Sequence, residues 1–180
     1  ILLAGAANYC CEIAEQYHYN NQSTQARAKI KSAFTFERKS IRAMLLLADI
    51  EQREGNYKAA IKELLRVRAA KPEFISQLLE PLASCHVSLG SRAEFEKLLK
   101  EMVLEDSSTE AALMLAKAFE SAEAIALLTE HLEHWPSQKA LIELVGLQLQ
   151  AVDENVVNSL ESLLNLMKKQ AKGSSQYCCH

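Results

Sequence analysis

The sequence predicts an all-α protein, a solenoid built from antiparallel pairs of helices. Small residues repeat at a fixed distance, because Ala14 and Ala26 recur as Ala48 and Ala60, 34 residues later. The same shift relates four pairs of apolar residues: Cys10 and Met44, Ile13 and Leu47, Ile30 and Leu64, and Ala33 and Val67. A turn-forming residue, Asn21, recurs as Gly55. Each pair of helices therefore repeats a close contact at an alanine.

A period of 34 residues with one small residue in each of two helices is the spacing of a tetratricopeptide repeat. Gly55 lies where a first helix must end, because glycine adopts the left-handed backbone conformation easily. Pro72 follows a second helix that it cannot continue. The predicted fold is a right-handed superhelical tetratricopeptide-repeat solenoid, which offers a binding face rather than a closed catalytic pocket.

Five units fit this pattern within an array over residues 1–170. They cover residues 7–40, 41–74, 76–106, 109–136 and 138–169, and a linker follows over 171–176. The third unit needs one inserted residue after Pro72, and Pro81 predicts a kink in its first helix. The fourth has a shortened turn near Glu120 to Glu123. The alanines expected at close helix contacts are Ala14, Ala26, Ala48, Ala60, Ala83 and Ala116, and the last apolar stripe is Leu160, Leu163, Leu164 and Met167.

Composition excludes several classes of function. The chain has 180 residues, 49% of them apolar, and a net charge of -3, which gives no reason to expect nucleic acid as a partner. No apolar run approaches the roughly 20 residues that span a bilayer, and no secretion signal opens the chain. Because the first residue is Ile1 and the repeat is already under way by Cys10, we expect a soluble piece of a longer protein.

The five cysteines are odd in number and show no disulfide framework, which favours a reducing compartment. Cys10 lies on a predicted packing position and is expected to be buried, and Cys85 lies one position off that face. Cys178 and Cys179 end the chain beside Tyr177 and resemble the first half of a small metal-binding knuckle. On the residues alone a frayed tail is the favoured alternative.

The order of the repeats, the shortened fourth turn and the final Tyr177–His180 segment together resemble the lipopolysaccharide assembly protein B family. Two further segments carry the resemblance, Ser84–Gly90 and Ala111–Ala116. It implies that residues 177–180 begin a truncated rubredoxin-like knuckle in which Cys179 is the first metal ligand. The other thiolates would lie beyond His180, so no cofactor is expected in this chain and iron or zinc is expected in the full-length parent.

The resemblance also implies a function. Members of this family are non-enzymatic adaptors at the cytoplasmic side of the inner membrane of Gram-negative bacteria, where an N-terminal helix anchors them. They restrain lipopolysaccharide synthesis by promoting proteolysis of the deacetylase that commits precursor to lipid A, through a membrane AAA+ protease. The implied partners are that protease, the deacetylase and lipopolysaccharide assembly or transport proteins.

The residues do not favour an enzyme. The sequence has no phosphate-binding glycine loop and no Gly-x-Ser-x-Gly elbow. His131 and His134, beside glutamates, could chelate a metal, but a solvated helix end is favoured for both. Tyr17 is expected to pack inward, with His18 facing a groove or solvent, and His86 is expected to be a packing residue.

Partner binding is predicted on the concave face, formed by non-packing positions of the first helices. These residues are Asn8, Cys11, Glu15, His18, Tyr19, Arg42, Leu45, Asp49, Gln52, Arg53, Gln77, Glu80 and Ser84. Arg and Tyr are over-represented among residues that dominate binding energy. Ordinary solvated helix positions remain the alternative for this set.

Two other functions stay open at this point. The first is a generic tetratricopeptide-repeat interaction scaffold of another pathway, such as a chaperone cofactor or a pilus-assembly subunit. The second is a repeat region attached to a glycosyltransferase. Residues beyond His180 would distinguish them, because further cysteines favour the knuckle, whereas further repeats or a nucleotide-binding domain favour the alternatives.

Overall fold

The computed structural model describes residues 2–150 and 164–168, and these residues are helical with no strand among them. The helices are α1 (Leu2–Tyr19), α2 (Ser23–Phe36), α3 (Ile41–Arg53), α4 (Tyr57–Ala70), α5 (Ile75–Leu89), α6 (Arg92–Glu105), α7 (Thr109–Ala116), α8 (Ser121–His134) and α9 (Gln138–Gln150). A short 3-10 turn, Pro72–Phe74, joins α4 to α5. The predicted all-α fold of paired helices is confirmed.

The chain divides into two compact units, residues 1–95 and residues 96–180, with the division inside α6. In the first unit α1 packs on α2, α3 packs on α4 and on both earlier helices, and α4 packs on α5. In the second unit α7 packs on α8, and α9 packs on both. Within α1 to α5 and within α7 to α9, each helix thus contacts the next helix in sequence, as a repeat array requires.

Small residues fill the core of the first unit. Ala7, Ala14, Ala26 and Ala33 are fully buried around Ile30. Ala48, Ala60 and Ala116 are buried as well, at 3%, 0% and 4% exposure. The predicted burial is confirmed for Ala14, Ala26, Ala48, Ala60 and Ala116. A methyl-sized side chain at these positions lets two helix backbones approach closely.

Ala83 was predicted at such a contact, and that prediction is wrong, because its side chain is only half-buried. Helix α5 instead buries a stripe that includes Leu78, Leu82 and Cys85. Leu82 lies 34 residues after Ala48 and takes the packing position, so the insertion is not needed there and Ala83 lies one residue, about 100°, off that face. The helix runs through Pro81 from Ile75 to Leu89 as one element.

The first helices of three successive units end in the same way. Residues with positive φ lie at Asn21 (59°), Gly55 (77°) and Gly90 (65°). The residue after each donates its amide to a carbonyl in the preceding turn: Gln22 to Tyr17 at 2.8 Å, Asn56 to Glu51 at 2.8 Å and Ser91 to His86 at 3.0 Å. This is the Schellman closure, and its recurrence explains why the turn residue repeats in the sequence.

A Gly55→Ala substitution is expected to lower the free energy of unfolding by about 1 kcal/mol, because alanine is strained at φ 77° although nothing lies within 4 Å of the added methyl group. Urea unfolding measures the loss. Gly5→Ala, inside α1 with equally open surroundings, is the matched control and should be neutral or stabilising. Equal effects of the two substitutions would contradict the prediction.

The register of α1 differs from the prediction by one residue. Cys11, predicted on the binding face, is fully buried, whereas Cys10, predicted to be buried, is half-buried and packs against the same core. Burial raises the pKa of the Cys11 thiol above its ordinary value. Cys85, predicted to lie one position off the packing face, is fully buried, and burial raises the pKa of its thiol too.

The end of the array is described only in part. Glu123 lies inside α8, so the fourth turn is confined to residues before Ser121 and the predicted turn extends too far. Leu164 and Met167 are each 53% exposed. Leu160 and Leu163, the linker over 171–176 and the segment Tyr177–His180 lie outside the described residues.

Candidate partner-binding face

The predicted face lies on the first compact unit, on helices α1, α3 and α5. We call it the first-helix face. Its exposed members are Asn8, Tyr19, Arg53, Gln77, Glu80 and Ser84, its half-buried members are Glu15, Arg42, Leu45, Asp49 and Gln52, and its buried member is His18. Tyr19 is the most exposed large hydrophobic side chain among them, at 84%.

Arg42 links α3 to α1 across this face. Its guanidinium donates two parallel hydrogen bonds to Glu15, from Nε to Oε1 and from Nη2 to Oε2, both at 2.9 Å. A weaker contact joins Nη1 to the Glu12 carboxylate at 3.5 Å. The hydrogen bonds to Glu15 raise the pKa of Arg42 further above its ordinary value. Two-pronged pairing fixes the orientation of Arg42, so α3 is held in register against α1.

A second link joins His18 of α1 to Asp49 of α3. His18 Nε2 lies 2.7 Å from Asp49 Oδ2, with His18 only 9% exposed. Arg53 Nε lies 3.3 Å from the same carboxylate oxygen, one turn along α3. The expectation that His18 faces a groove or solvent is thus wrong, because the ring is buried against its carboxylate partner.

A third link continues the face to α5, where Gln52 Nε2 donates to Ser84 Oγ at 3.1 Å. The three links cross from helix to helix in order, α1 to α3 and α3 to α5. They hold polar side chains in fixed positions on one side of the first unit. An arrangement of this kind presents a preorganised surface, with Tyr19 projecting at one end and Leu45 set among the charged groups.

One polar cluster of the first unit was not predicted from the sequence. Arg27 of α2 donates from Nε to Glu51 at 2.8 Å and from Nη2 to Glu54, and Asn56 Nδ2 donates to Glu51 at 2.8 Å. The hydrogen bonds from Arg27 lower the pKa of both carboxyl groups. The cluster ties α2 to the end of α3, so its function is to fix the packing of consecutive units.

No metal centre is found in the described part of the chain, where no group of three or more His, Cys, Asp or Glu side chains could hold an ion. The predicted ligand, Cys179, lies outside the described residues together with Cys178 and His180. No helix in residues 2–150 or 164–168 is long and apolar enough to cross a bilayer.

His131 does not lie at a solvated helix end as predicted, since it is only 2% exposed. Its Nε2 lies 3.1 Å from Thr109 Oγ1, its ring lies 5.2 Å from the Trp135 ring, and its Nδ1 is buried without a hydrogen-bond partner. Burial lowers the pKa of this imidazole, which stays neutral. The prediction holds for His134, which is exposed and donates from Nδ1 to the Glu130 carbonyl at 3.2 Å.

The buried His131 should make the stability of the second unit depend on pH. Its folded-state pKa is lowered, so below about pH 6.5 the unfolded chain binds a proton that the folded chain excludes. Stability should therefore fall as pH drops from about 6.5 toward the folded-state pKa, and stay constant above about pH 6.5. His131→Gln, which keeps a partner for Thr109, should lose less of its thermal midpoint between about pH 7.5 and 5.5. An equal drop in both proteins would contradict this assignment.

His86 is the packing residue that the sequence predicted. It is 6% exposed, its Nδ1 lies 2.8 Å from Ser91 Oγ, and its ring stacks on Phe95 at 5.3 Å. The Ser91 hydroxyl also donates to the His86 carbonyl at 3.4 Å, which helps to close the end of α5. These contacts account for a structural position.

No protein-family model matches the chain. The chain is, however, similar in sequence to curated proteins. It is 26% identical over 178 residues to lipopolysaccharide assembly protein B of Escherichia coli (strain K12), with 96% of this chain aligned. It is 30% identical over 181 residues to the protein of the same name in Haemophilus influenzae (strain Rd), with 93% aligned. The resemblance to the lipopolysaccharide assembly protein B family is confirmed.

The chain spans about half the length of these curated relatives, 46% of the Escherichia coli lipopolysaccharide assembly protein B and 45% of the Haemophilus influenzae protein. Among solved structures it is similar to PilW, a type IV pilus biogenesis factor, at 18% identity and a TM-score of 0.47 over 92% of this chain and 78% of that one. That likeness is too low to carry an argument about function.

Proposed function

We propose that the chain is the repeat scaffold of a non-enzymatic adaptor in lipopolysaccharide biosynthesis, and that the first-helix face holds a protein partner. One observation carries the proposal: the similarity to lipopolysaccharide assembly protein B extends over 96% and 93% of the chain in two organisms. The face adds physical support, because its polar groups lie on α1, α3 and α5, the first helices of three successive pairs in one compact unit.

The finer form of the proposal names the task. The adaptor acts at the cytoplasmic side of the bacterial inner membrane and promotes proteolysis of the deacetylase that commits precursor to lipid A, through a membrane AAA+ protease. The resemblance of the repeats to this family supports it. Scaffolding suits such work, since an extended repeat surface can hold one protein beside another.

The geometry of the face explains how it would bind. Association costs side-chain entropy, and that cost falls where the side chains are already ordered. Glu15 and Arg42 are ordered by their ion pair, and Asp49 is ordered by its contacts with His18 and Arg53. Tyr19 is a rigid aromatic group with 84% of its surface free, the kind of residue that dominates binding energy. Partner recognition would combine a Tyr19 anchor with the charges beside it.

The test is made in the full-length parent in cells, with a Tyr19→Ala/Arg53→Glu double variant. Both side chains are exposed, so the fold should be unaffected. We expect crosslinked capture of the protease or the deacetylase to fall about tenfold or more, and the half-life of the deacetylase to lengthen. Tyr9→Ala/Lys31→Glu is the matched control, since Tyr9 is 64% exposed on α1 outside the face.

A Glu15→Arg/Arg42→Glu swap separates binding from stability. It preserves the ion pair between α1 and α3 but exchanges its charges, so the unfolding midpoint should stay close to wild type while capture falls. Capture at wild-type levels by both the swap and the Tyr19 double variant would refute the face. A normal deacetylase half-life after deletion of the parent would refute the pathway assignment instead.

A further inference from the structure

The second compact unit contains an apolar cavity of about 300 Å³, whereas the first-helix face belongs to the first unit. Its walls come from Val103 of α6, Leu115 of α7 and Leu127 of α8, with Leu104 and Trp135 at its edge. Leu115 is fully buried and Val103 nearly so, at 6% exposure. Apolar cavities with a few polar groups at the mouth are the usual form of small-molecule sites.

The imidazole of His131 forms part of the wall and carries no charge. Burial lowers its pKa, and its Nε2 is engaged by Thr109 at 3.1 Å. This side of the lining therefore carries no charge, and Val103, Leu115 and Leu127 make the rest of the wall apolar. A volume of 300 Å³ corresponds to about ten water-sized groups, which limits the occupant to roughly that number of non-hydrogen atoms.

Two side chains of opposite charge line the mouth. Lys100 lies on α6, three and four residues before Val103 and Leu104, so helical spacing places it above those walls. Its ammonium lies 5.4 Å from the centre of the Phe119 ring. Glu130 lies on α8, three residues after Leu127, in the last turns of that helix, where the helix dipole also favours a cation.

We propose that this cavity binds an apolar α-amino acid, with the side chain among the leucines, the carboxylate at Lys100 and the ammonium at Glu130. Leucine and phenylalanine each have about ten non-hydrogen atoms, which matches the cavity. A zwitterion can pair with both charges of the mouth at once, whereas a fatty acid or an amine can pair with only one of them. The site is independent of the proposed adaptor function.

The test uses Trp135, the single tryptophan of the chain, which lies at the edge of the cavity and reports binding by its fluorescence. The chain is titrated with phenylalanine, with hydrocinnamate, which lacks the amine, and with phenethylamine, which lacks the carboxylate. We expect saturable binding of phenylalanine with a dissociation constant on the order of 1 mM or below. Each analogue should bind about two- to fivefold more weakly, as for charge pairs near the surface.

Two variants assign the charges separately. Lys100→Gln should remove the advantage of phenylalanine over phenethylamine and keep its advantage over hydrocinnamate, and Glu130→Gln should do the reverse. Both residues are exposed, so both variants should fold. Leu127→Phe, which fills the cavity, should abolish binding of all three compounds.

Three results would overturn the proposal. They are the absence of a saturable fluorescence change up to about 10 mM phenylalanine, binding of either analogue as tight as that of phenylalanine, and the same response in both charge variants. Tighter binding of an apolar protein segment than of any of these compounds would reassign the cavity to a protein anchor. A loss of amino-acid binding with normal partner capture would leave the adaptor function untouched, so the two proposals fail separately.

Discussion

An Ile30→Ala variant is expected to lose about 2–5 kcal/mol of unfolding free energy, a large share of the 5–15 kcal/mol typical of a folded domain. Ile30 is 1% exposed in the core of the first unit, where the surrounding residues include Ala7, Ala26 and Ala33. Alanine has no rotatable carbon with which to fill a neighbouring space. The cavity left by the removed carbons should therefore stay open, and the cost should lie toward the upper part of that range.

Urea unfolding followed by circular dichroism measures this loss, with the dependence on urea compared between variant and wild type. Val87→Ala is the control, because Val87 is 77% exposed on α5 and its truncation should change stability by less than about 0.5 kcal/mol. A loss below about 1 kcal/mol at Ile30 would show that the alanine-lined core can collapse around the gap, contrary to the packing described.

The repeat itself could be predicted because its physical cause is local. A helix can end in the left-handed conformation only where a residue tolerates positive φ, so Asn21, Gly55 and Gly90 recur at the period of the fold. The alanines recur because each helix contact likewise accepts only a small side chain at one position. A positive φ and a close helix contact each restrict the residue type at one position. Such a restriction appears in the sequence as the same kind of residue at each repeat.

The contacts of the face could not be predicted, because they join residues 27 to 32 positions apart on different helices. Arg42 was predicted as a surface residue, and nothing in its neighbourhood along the chain indicates Glu15 as its partner. The pairing depends on how far each helix is rotated, and the exchange of Cys10 and Cys11 shows the sensitivity. One residue amounts to about 100°, enough to move a side chain from the binding surface to the core.

His131 is the residue that the sequence could have revealed. It follows Ala124 and Leu128 at helical spacing of four and then three residues, on the stripe that α8 buries. A polar ring near the end of a helix favours solvent, whereas the periodicity favours burial. The structure follows the periodicity, and the buried imidazole is held by the hydrogen bond at Nε2 and by the Trp135 ring.

Because the buried alanine recurs in two units, its effect on stability can be compared between them. Ala48→Leu adds three carbons at a position that is 3% exposed on α3, which packs against α1, α2 and α4. The added atoms can be accommodated only if the helices separate or the side chains leave their preferred rotamers. We expect a cost of about 1–3 kcal/mol in unfolding free energy, measured by urea unfolding.

Ala14→Leu supplies a replicate one repeat earlier, and Ala59→Leu supplies the control. Ala14 is fully buried at the equivalent position of α1, so its substitution should cost a similar amount if the two units share one packing geometry. Ala59 is exposed on α4, and the same three carbons there should change stability by less than about 0.5 kcal/mol. If Ala48→Leu behaves like Ala59→Leu, the helices of this unit are not in close contact at Ala48. If only Ala14→Leu lowers the free energy of unfolding, the small residue recurs after 34 residues but its packing does not. The two units would then not share one packing geometry.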